Sequence, residues 1–174
     1  QGPIGLCATA GAKLKGATQI IAIDGIDSRL TMAKKMGATV TINYNNADPI
    51  EVIKDLTRGR GVDVAIEALG TQPTFESCLR VLRPGGILSS LGVYSGKLTM
   101  PLEAISAGLA DQKIVTTLCP GGKERMRRLL NVVASGLVDL KPMVTHLFKL
   151  KKKEKAYDLF SNQRDGVLKV AITP

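Results

Sequence analysis

A pair of glycines and one carboxylate carry the first chemical signal in this chain. Gly2-Pro3-Ile4-Gly5 opens an apolar stretch of small residues, LCATAGAKLKG, that runs into a β-branched segment, QIIAID, ending on Asp24. In a dinucleotide fingerprint of the form G-x-G-x-x-G these match the second and third glycines. The second lets backbone approach a pyrophosphate, and the third lets the helix lie close to its strand. A helix starting here would point free N–H groups and the positive end of its dipole at an anion. Asp24 stands 22 positions beyond Gly2, close to the spacing of roughly 20 at which a carboxylate accepts hydrogen bonds from adenosine ribose hydroxyls. A carboxylate at that place repels a 2′-phosphate, so the pattern favours NAD over NADP. The plain alternatives are a helix-packing glycine pair and an aspartate capping the turn at Gly25. The sequence starts at Gln1 without the fingerprint's first glycine or the strand before it. The expectation is therefore a piece of a longer protein, cut inside the fingerprint.

Positioning such residues takes strands that alternate with helices. Short β-branched runs and amphipathic stretches follow one another along the chain, the pattern of βαβ units wound into a parallel sheet. Strands are expected over residues 19–24, 38–43, 62–68, 86–91 and 113–118, with helices over 3–15, 28–36, 49–57, 73–83 and 101–109. Asp48-Pro49 reads as an N-cap followed by proline at the first helical position, and Gly16, Gly37 and Pro84-Gly85-Gly86 read as helix stops. The apolar runs are continuous, which predicts a sheet covered on both faces. The fold class expected is α/β: a Rossmann-type doubly wound parallel sheet in three layers, αβα, lacking its first strand. Composition changes at Cys119-Pro120-Gly121-Gly122, ahead of a basic helix over 123–135, a strand over 144–150, a helix over 154–162 and a last strand over 168–173. That change sets two regions, a dinucleotide-binding domain over 1–118 and a C-terminal segment over 119–174.

Composition narrows the function classes. The 174 residues are 44% hydrophobic and 22% charged, which suits one globular domain with an appended segment and excludes disorder. No apolar stretch approaches the roughly 18 residues of a membrane span, and the start resembles no secretory signal, so a cytoplasmic protein without membrane contact is expected. Cys7, Cys78 and Cys119 lie 71 and 41 positions apart without a C-x-x-C, and His146 is the one histidine. Reduced thiols fit better than disulfides or a zinc cluster. The net charge of +9 gathers in Lys123/Arg125/Arg127/Arg128 and in Lys149/Lys151/Lys152/Lys153/Lys155. Aromatics are only 3% of residues, with no tryptophan to stack on bases, so a solvated basic face is expected and nucleic acid is not.

Several ordered motifs, GPIGLCATAGAKLKGA, AIDGIDSRLTMAKKMGAT, RGRGVDVAIEALG, LRPGGILSSLGVYSG, LCPGGKERMRRLL and a terminal LKVAITP, together resemble the coenzyme-binding half of the zinc-dependent medium-chain alcohol dehydrogenases. The secondary-alcohol branch is the nearest, and the likeness covers the whole chain. It implies that Gly2, Pro3, Ile4 and Gly5 form the pyrophosphate loop and that Asp24 with Gly25 meets the adenosine ribose. Arg29 would flank the adenosine end. Ala68, Leu69 and Gly70 would lie beside the nicotinamide ribose, Gly92, Val93 and Tyr94 at the carboxamide, and Lys169 within reach of the pyrophosphate. Members of that branch that use NADP carry a small residue followed by Ser and Arg at the place of Asp24-Gly25-Ile26, a departure that again favours NAD. The resemblance puts the catalytic zinc, its ligands and the proton relay in an N-terminal domain that this chain does not contain. No catalytic or metal-binding residue is therefore expected here. Residues from Leu118 onward resemble the segment returning to that domain, which predicts exposed apolar surface over 123–174. Strand 113–118 resembles the sheet edge that pairs across a twofold axis, so a homo-oligomer, dimer or tetramer, is the expected assembly.

Other functions fit the same residues. A zinc-free quinone oxidoreductase shares the fold, a methyltransferase also sets an acidic residue against a ribose, and a non-catalytic nucleotide- or nucleic-acid-binding module could use the positive charge. Arg29 and Lys169 could be ordinary solvated cations, and the glycines at 70 and 92 simple turn residues. Tyr94 reads as structural rather than as an acid. Glu67 and Asp63 read as solvated carboxylates rather than an acid–base pair, and His146 as a core or surface histidine.

Overall fold

A computed structural model describes residues 1–117, 119 and 121–174. Leu118, the end of the expected strand 113–118, and Pro120, in the expected boundary, lie outside the described residues. The chain gathers into two compact units, Gln1–Thr41 with Gly121–Pro174, and Ile42–Pro120.

In the first unit, helix α1 (Pro3–Leu14) begins with proline at its first position, where the missing N–H is no loss. Its buried face is Gly5, Leu6, Thr9 and Ala10, the spacing of one side of a helix. Strand β1 (Ile21–Asp24) follows, then α2 (Asp27–Met36), which Gly37 ends in the left-handed conformation at φ +118°. Strand β2 (Val40–Asn43) pairs with β1 in a two-stranded sheet. The late part of the chain adds α5 (Lys123–Ala134), β6 (Val144–Lys149), α6 (Lys153–Ser161) and β7 (Lys169–Thr173), with β6 and β7 parallel. Met143 and Leu168 join Leu6, Ala22 and Ala33 in one core, so the segment 119–174 contributes to the packing of residues 1–41. Helix α5 does not: none of its residues is buried, and Met126, Leu129, Leu130 and Val133 are exposed. This is the apolar surface expected over 123–174.

The second unit holds α3 (Pro49–Leu56), β3 (Val62–Glu67), α4 (Gln72–Val81), β4 (Leu82–Ser90) and β5 (Lys113–Thr116). Asp48 caps α3 as expected, its side chain accepting from the Ile50 N–H at 2.8 Å. The three strands run parallel in the order β3-β4-β5, with Glu67 beside Ser90 and Ser90 beside Thr116.

Three expectations change. The first is sheet coverage. Ala65, Glu67, Leu88 and Ser90 are buried on one face, with α4 against β3 and β4. Val64, at 50% exposure, and Ile66 and Val115 stand open on the other. A continuous apolar run reports what both faces are made of, not what covers them. The second concerns β4, which starts at Leu82 rather than 86, so Pro84-Gly85 lies within the strand instead of ending a helix. A residue before proline is driven out of the helical region, which turns Arg83 to extended backbone ahead of Pro84. The third is the segment 101–109, where a 3-10 helix, Leu102–Gly108, replaces the α-helix and Ser106 and Ala107 break it at φ +46° and +55°. Among the described residues, no helix is long and apolar enough to cross a membrane.

Candidate cofactor site

The first unit places the glycine loop, Asp24, Gly25, Arg29 and Lys169. Gly2 is the N-cap of α1 and no side chain caps it; the first turn carries no acidic residue. The first main-chain bond of the helix runs from Leu6 N–H to Gly2 C=O at 2.9 Å, and the N–H groups of Ile4 and Gly5 have no partner inside the helix. A Cβ on Gly2 would meet nothing within 4 Å beyond its chain neighbours, so there is room at Gly2 itself. Asp24 ends β1 at 9% exposure. Its Oδ1 accepts from the Ile26 N–H at 2.9 Å, closing a turn through Gly25. Its Oδ2 lies 2.5 Å from the amino nitrogen of Gln1 and 3.9 Å from Arg29 Nη1. Arg29 therefore stands beside the carboxylate, mostly shielded, rather than in bulk solvent. Lys169 opens β7 near α1. Burial raises the thiol pKa of Cys7 on that helix, and the Lys169 charge partly offsets the rise.

The second unit places Ala68, Leu69, Gly70, Gly92, Val93 and Tyr94. They follow the C-terminal ends of β3 and β4, the edge where open α/β sheets bind ligands. Leu69 and Val93 are strongly exposed. Gly70 has φ +91°, and a Cβ there would collide with the backbone of Val93; a Cβ on Gly92 would collide with the backbone of Gly70 and with the Glu67 carboxylate. The two strand-end segments thus touch, and only glycine fits at either contact.

Between them sits Glu67, only 1% exposed. Its Oε1 accepts from the Leu69 N–H at 2.8 Å, the Gly70 N–H at 2.9 Å and Thr74 Oγ1 at 2.7 Å. Its Oε2 accepts from the Tyr94 hydroxyl at 2.7 Å, which is also 2.8 Å from Ser90 Oγ. Burial alone would raise the Glu67 pKa; the N–H of Gly70, the hydroxyls of Thr74 and Tyr94 and the N–H of Leu69 overcome it and hold the pKa below the usual value. Burial pushes the Tyr94 phenol up to about 12, aided by the Glu67 carboxylate against a lowering by Ser90. The Tyr94 ring meets Phe75 edge to face, with centroids 5.9 Å apart. Tyr94 is thus a hydrogen-bond donor within a fixed network, in keeping with its structural reading, while the solvated reading of Glu67 is corrected. A period-two reading of VDVAIEA could have found Glu67: it falls in phase with Ala65, on the face that α4 covers.

Metal fits less well. Among the described residues, no group of three His, Cys, Asp or Glu side chains is placed to hold an ion. The ring nitrogens of His146 face Thr145 Oγ1 at 2.9 Å and Asp165 Oδ2 at 3.1 Å. The cysteines are free thiols.

The uncapped start of α1 and the nearly buried carboxylate ending β1 lie in an α/β fold whose class comparison with known proteins identifies. The zinc-binding dehydrogenase family matches residues 3–135, and this chain belongs to it. An alcohol dehydrogenase from Cupriavidus necator is 67% identical over 174 residues, covering 100% of this chain and 48% of that protein. An NADP-dependent isopropanol dehydrogenase from Thermoanaerobacter brockii is 35% identical over 98% of this chain and 49% of its own length. The solved zinc-dependent alcohol dehydrogenase 2 from Streptococcus pneumonia superposes with a TM-score of 0.89 at 35% identity, over 98% of this chain and 49% of that one. The chain spans about half the length of the relatives it matches. With the Rossmann-like neighbours and parallel strands, the α/β fold class expected from the sequence holds.

Proposed function

We propose that this chain is the NAD-binding part of an alcohol dehydrogenase that oxidises a secondary alcohol or polyol, with residues 1–118 as the cofactor domain and 119–174 as the segment leading back to a catalytic domain. The observation that carries the proposal is Asp24: a nearly buried carboxylate at the end of β1, one strand beyond a helix whose N-terminus no side chain caps. The N–H groups of Ile4 and Gly5 with Lys169 hold the pyrophosphate, Gly2 and Pro3 leave it room, and Asp24 accepts from the ribose diol. Arg29 borders the adenosine. Segments 68–70 and 92–94 hold the nicotinamide end. When bound, NAD supplies the hydride acceptor, and this chain contributes its orientation. The chain covers 48% of the Cupriavidus necator relative, and activation of the alcohol is assigned to the part of such a protein that this chain does not match. Every residue of strand β5, Lys113–Thr116, is exposed, and β5 is the edge strand of the β3-β4-β5 sheet, which supports a homo-oligomer in the whole protein.

NAD is favoured over NADP because the Asp24 carboxylate meets a 2′-phosphate with like charge. Calorimetric titration of the purified chain with NAD and with NADP tests both points. Binding of NAD with clearly weaker NADP is the expected result; preference for NADP overturns the assignment of Asp24, and binding of neither overturns the cofactor site.

A further inference from the structure

We infer that Glu67 is the positioning residue for the nicotinamide end of the site: its carboxylate locks the two strand-end segments, 68–70 and 92–94, into one arrangement that the adenosine end does not depend on. The inference rests on the cofactor reading above and adds a residue to which the sequence assigns no cofactor role. Among the described residues no ion pair involves Glu67, so a buried charge is held by hydrogen bonds alone, from Leu69, Gly70, Thr74 and Tyr94. A buried charge is costly unless it is paired or hydrogen-bonded. Four donors reach this carboxylate, three at Oε1 and one at Oε2. Three of those donors belong to the segments themselves. Leu69 and Gly70 supply main-chain N–H groups after β3, and Tyr94 supplies its hydroxyl after β4. Contact between the segments requires glycine at 70 and 92, so carboxylate and glycines form one interlock. A ligand lying on these segments would find main-chain groups already fixed, the condition for orienting a ring without further ordering cost.

The test separates the two ends of the cofactor. Glu67→Asp keeps the charge but is one methylene too short to reach both segments, and Glu67→Gln keeps the reach but removes the charge. For the chain and both variants, affinities for NAD and for AMP, which has only the adenosine end, are measured by calorimetry, with amide shifts from ¹H–¹⁵N spectra. Loss of bonds to a charged group predicts NAD affinity down about tenfold for Glu67→Asp, less for Glu67→Gln, with AMP affinity within about twofold. The amide resonances of Leu69 and Gly70 shift while that of Ile26 stays in place. Parallel loss of NAD and AMP binding would make Glu67 a support of the whole fold and overturn the inference. Unchanged NAD affinity in both variants overturns it as well, leaving the cofactor reading intact. If the unsubstituted chain binds no NAD, the cofactor reading fails and the inference fails with it.

Discussion

Asp24 and Glu67 hold equivalent places in two regions of the molecule. Each is the last residue of its strand, each accepts from the N–H two residues further on, and each is nearly closed to solvent, at 9% and 1% exposure. Their remaining partners differ. Asp24 has one main-chain donor and the Gln1 amino nitrogen within hydrogen-bond reach, with Arg29 farther off at 3.9 Å. Glu67 accepts from four donors of its own unit, three at Oε1 and one at Oε2. On the proposed reading, the carboxylate with fewer donors of its own addresses a ligand, and the one with four addresses the loops around it. The extra methylene of glutamate lets it reach past the turn to Thr74 and across to Tyr94, which aspartate could not do.

The largest effects come from removing the packing under either region. Leu6 and Leu88 are fully buried, one in each unit. Leu6→Ala and Leu88→Ala should each cost about 2–5 kcal/mol in denaturant unfolding. In hydrogen exchange, Leu6→Ala should lower protection over 3–36, and Leu88→Ala over 62–90. Equal loss throughout in both variants would show that the units open as one. Next in size is a pair of glycine substitutions. Gly92→Ala sets a Cβ against Glu67 and the Gly70 backbone and should cost about 1–3 kcal/mol of stability. Gly2→Ala meets no atom within 4 Å and should leave stability within about 0.5 kcal/mol. That methyl group instead enters the space assigned to pyrophosphate, so NAD affinity falls. A Gly2→Ala chain that binds NAD normally would remove the glycine loop from the site.

These contrasts explain what the sequence made legible. The glycine loop and Asp24 share one local pattern, helix start to strand end, and spacing along the chain is enough to read it. The strands at 21–24, 40–43 and 62–67 and the Asp48 cap could be read for the same reason, since each depends on neighbouring residues. Glu67 could not be assigned so easily. Its partners come from the turn after β3, the start of α4 and the segment after β4, 27 positions away at Tyr94, and no local spacing encodes that meeting. The exposed face of the β3-β4-β5 sheet is equally unreadable from the sequence, because hydrophobicity along a strand carries no information about which helix lies against it. The 3-10 break at Ser106 and Ala107 had no glycine or proline at the break itself to announce it.

Asp24→Ser keeps a small polar side chain at the end of β1 while removing the charge. Loss of ribose hydrogen bonds should weaken NAD binding about tenfold, or ~1.4 kcal/mol. NADP should weaken less, because the like-charge repulsion goes too. The ratio of the two affinities is the decisive reading: equal losses for NAD and NADP would mean that Asp24 does not face the 2′ position.

The smallest expected effect is a pH dependence traceable to Glu67. The pKa of Glu67 is lowered in the folded chain by its four donors, whereas an unfolded glutamate titrates near about 4.3. The folded state thus favours the ionised form, and the stability this contributes is complete above the unfolded pKa and drains away as pH falls through the lower folded value. Glu67→Gln has no such group. The gap in urea midpoint between the chain and this variant should be constant from pH 7 to about 5 and narrow below about 4.3. Asp63, whose pKa is lowered by hydrogen bonds from Arg60 and Arg83, titrates in both proteins and cancels from the difference. A gap that stays constant through the acid range would mean that the four donors hold the protonated and ionised carboxyl equally well, and the interlock would then owe its order to shape and not to charge.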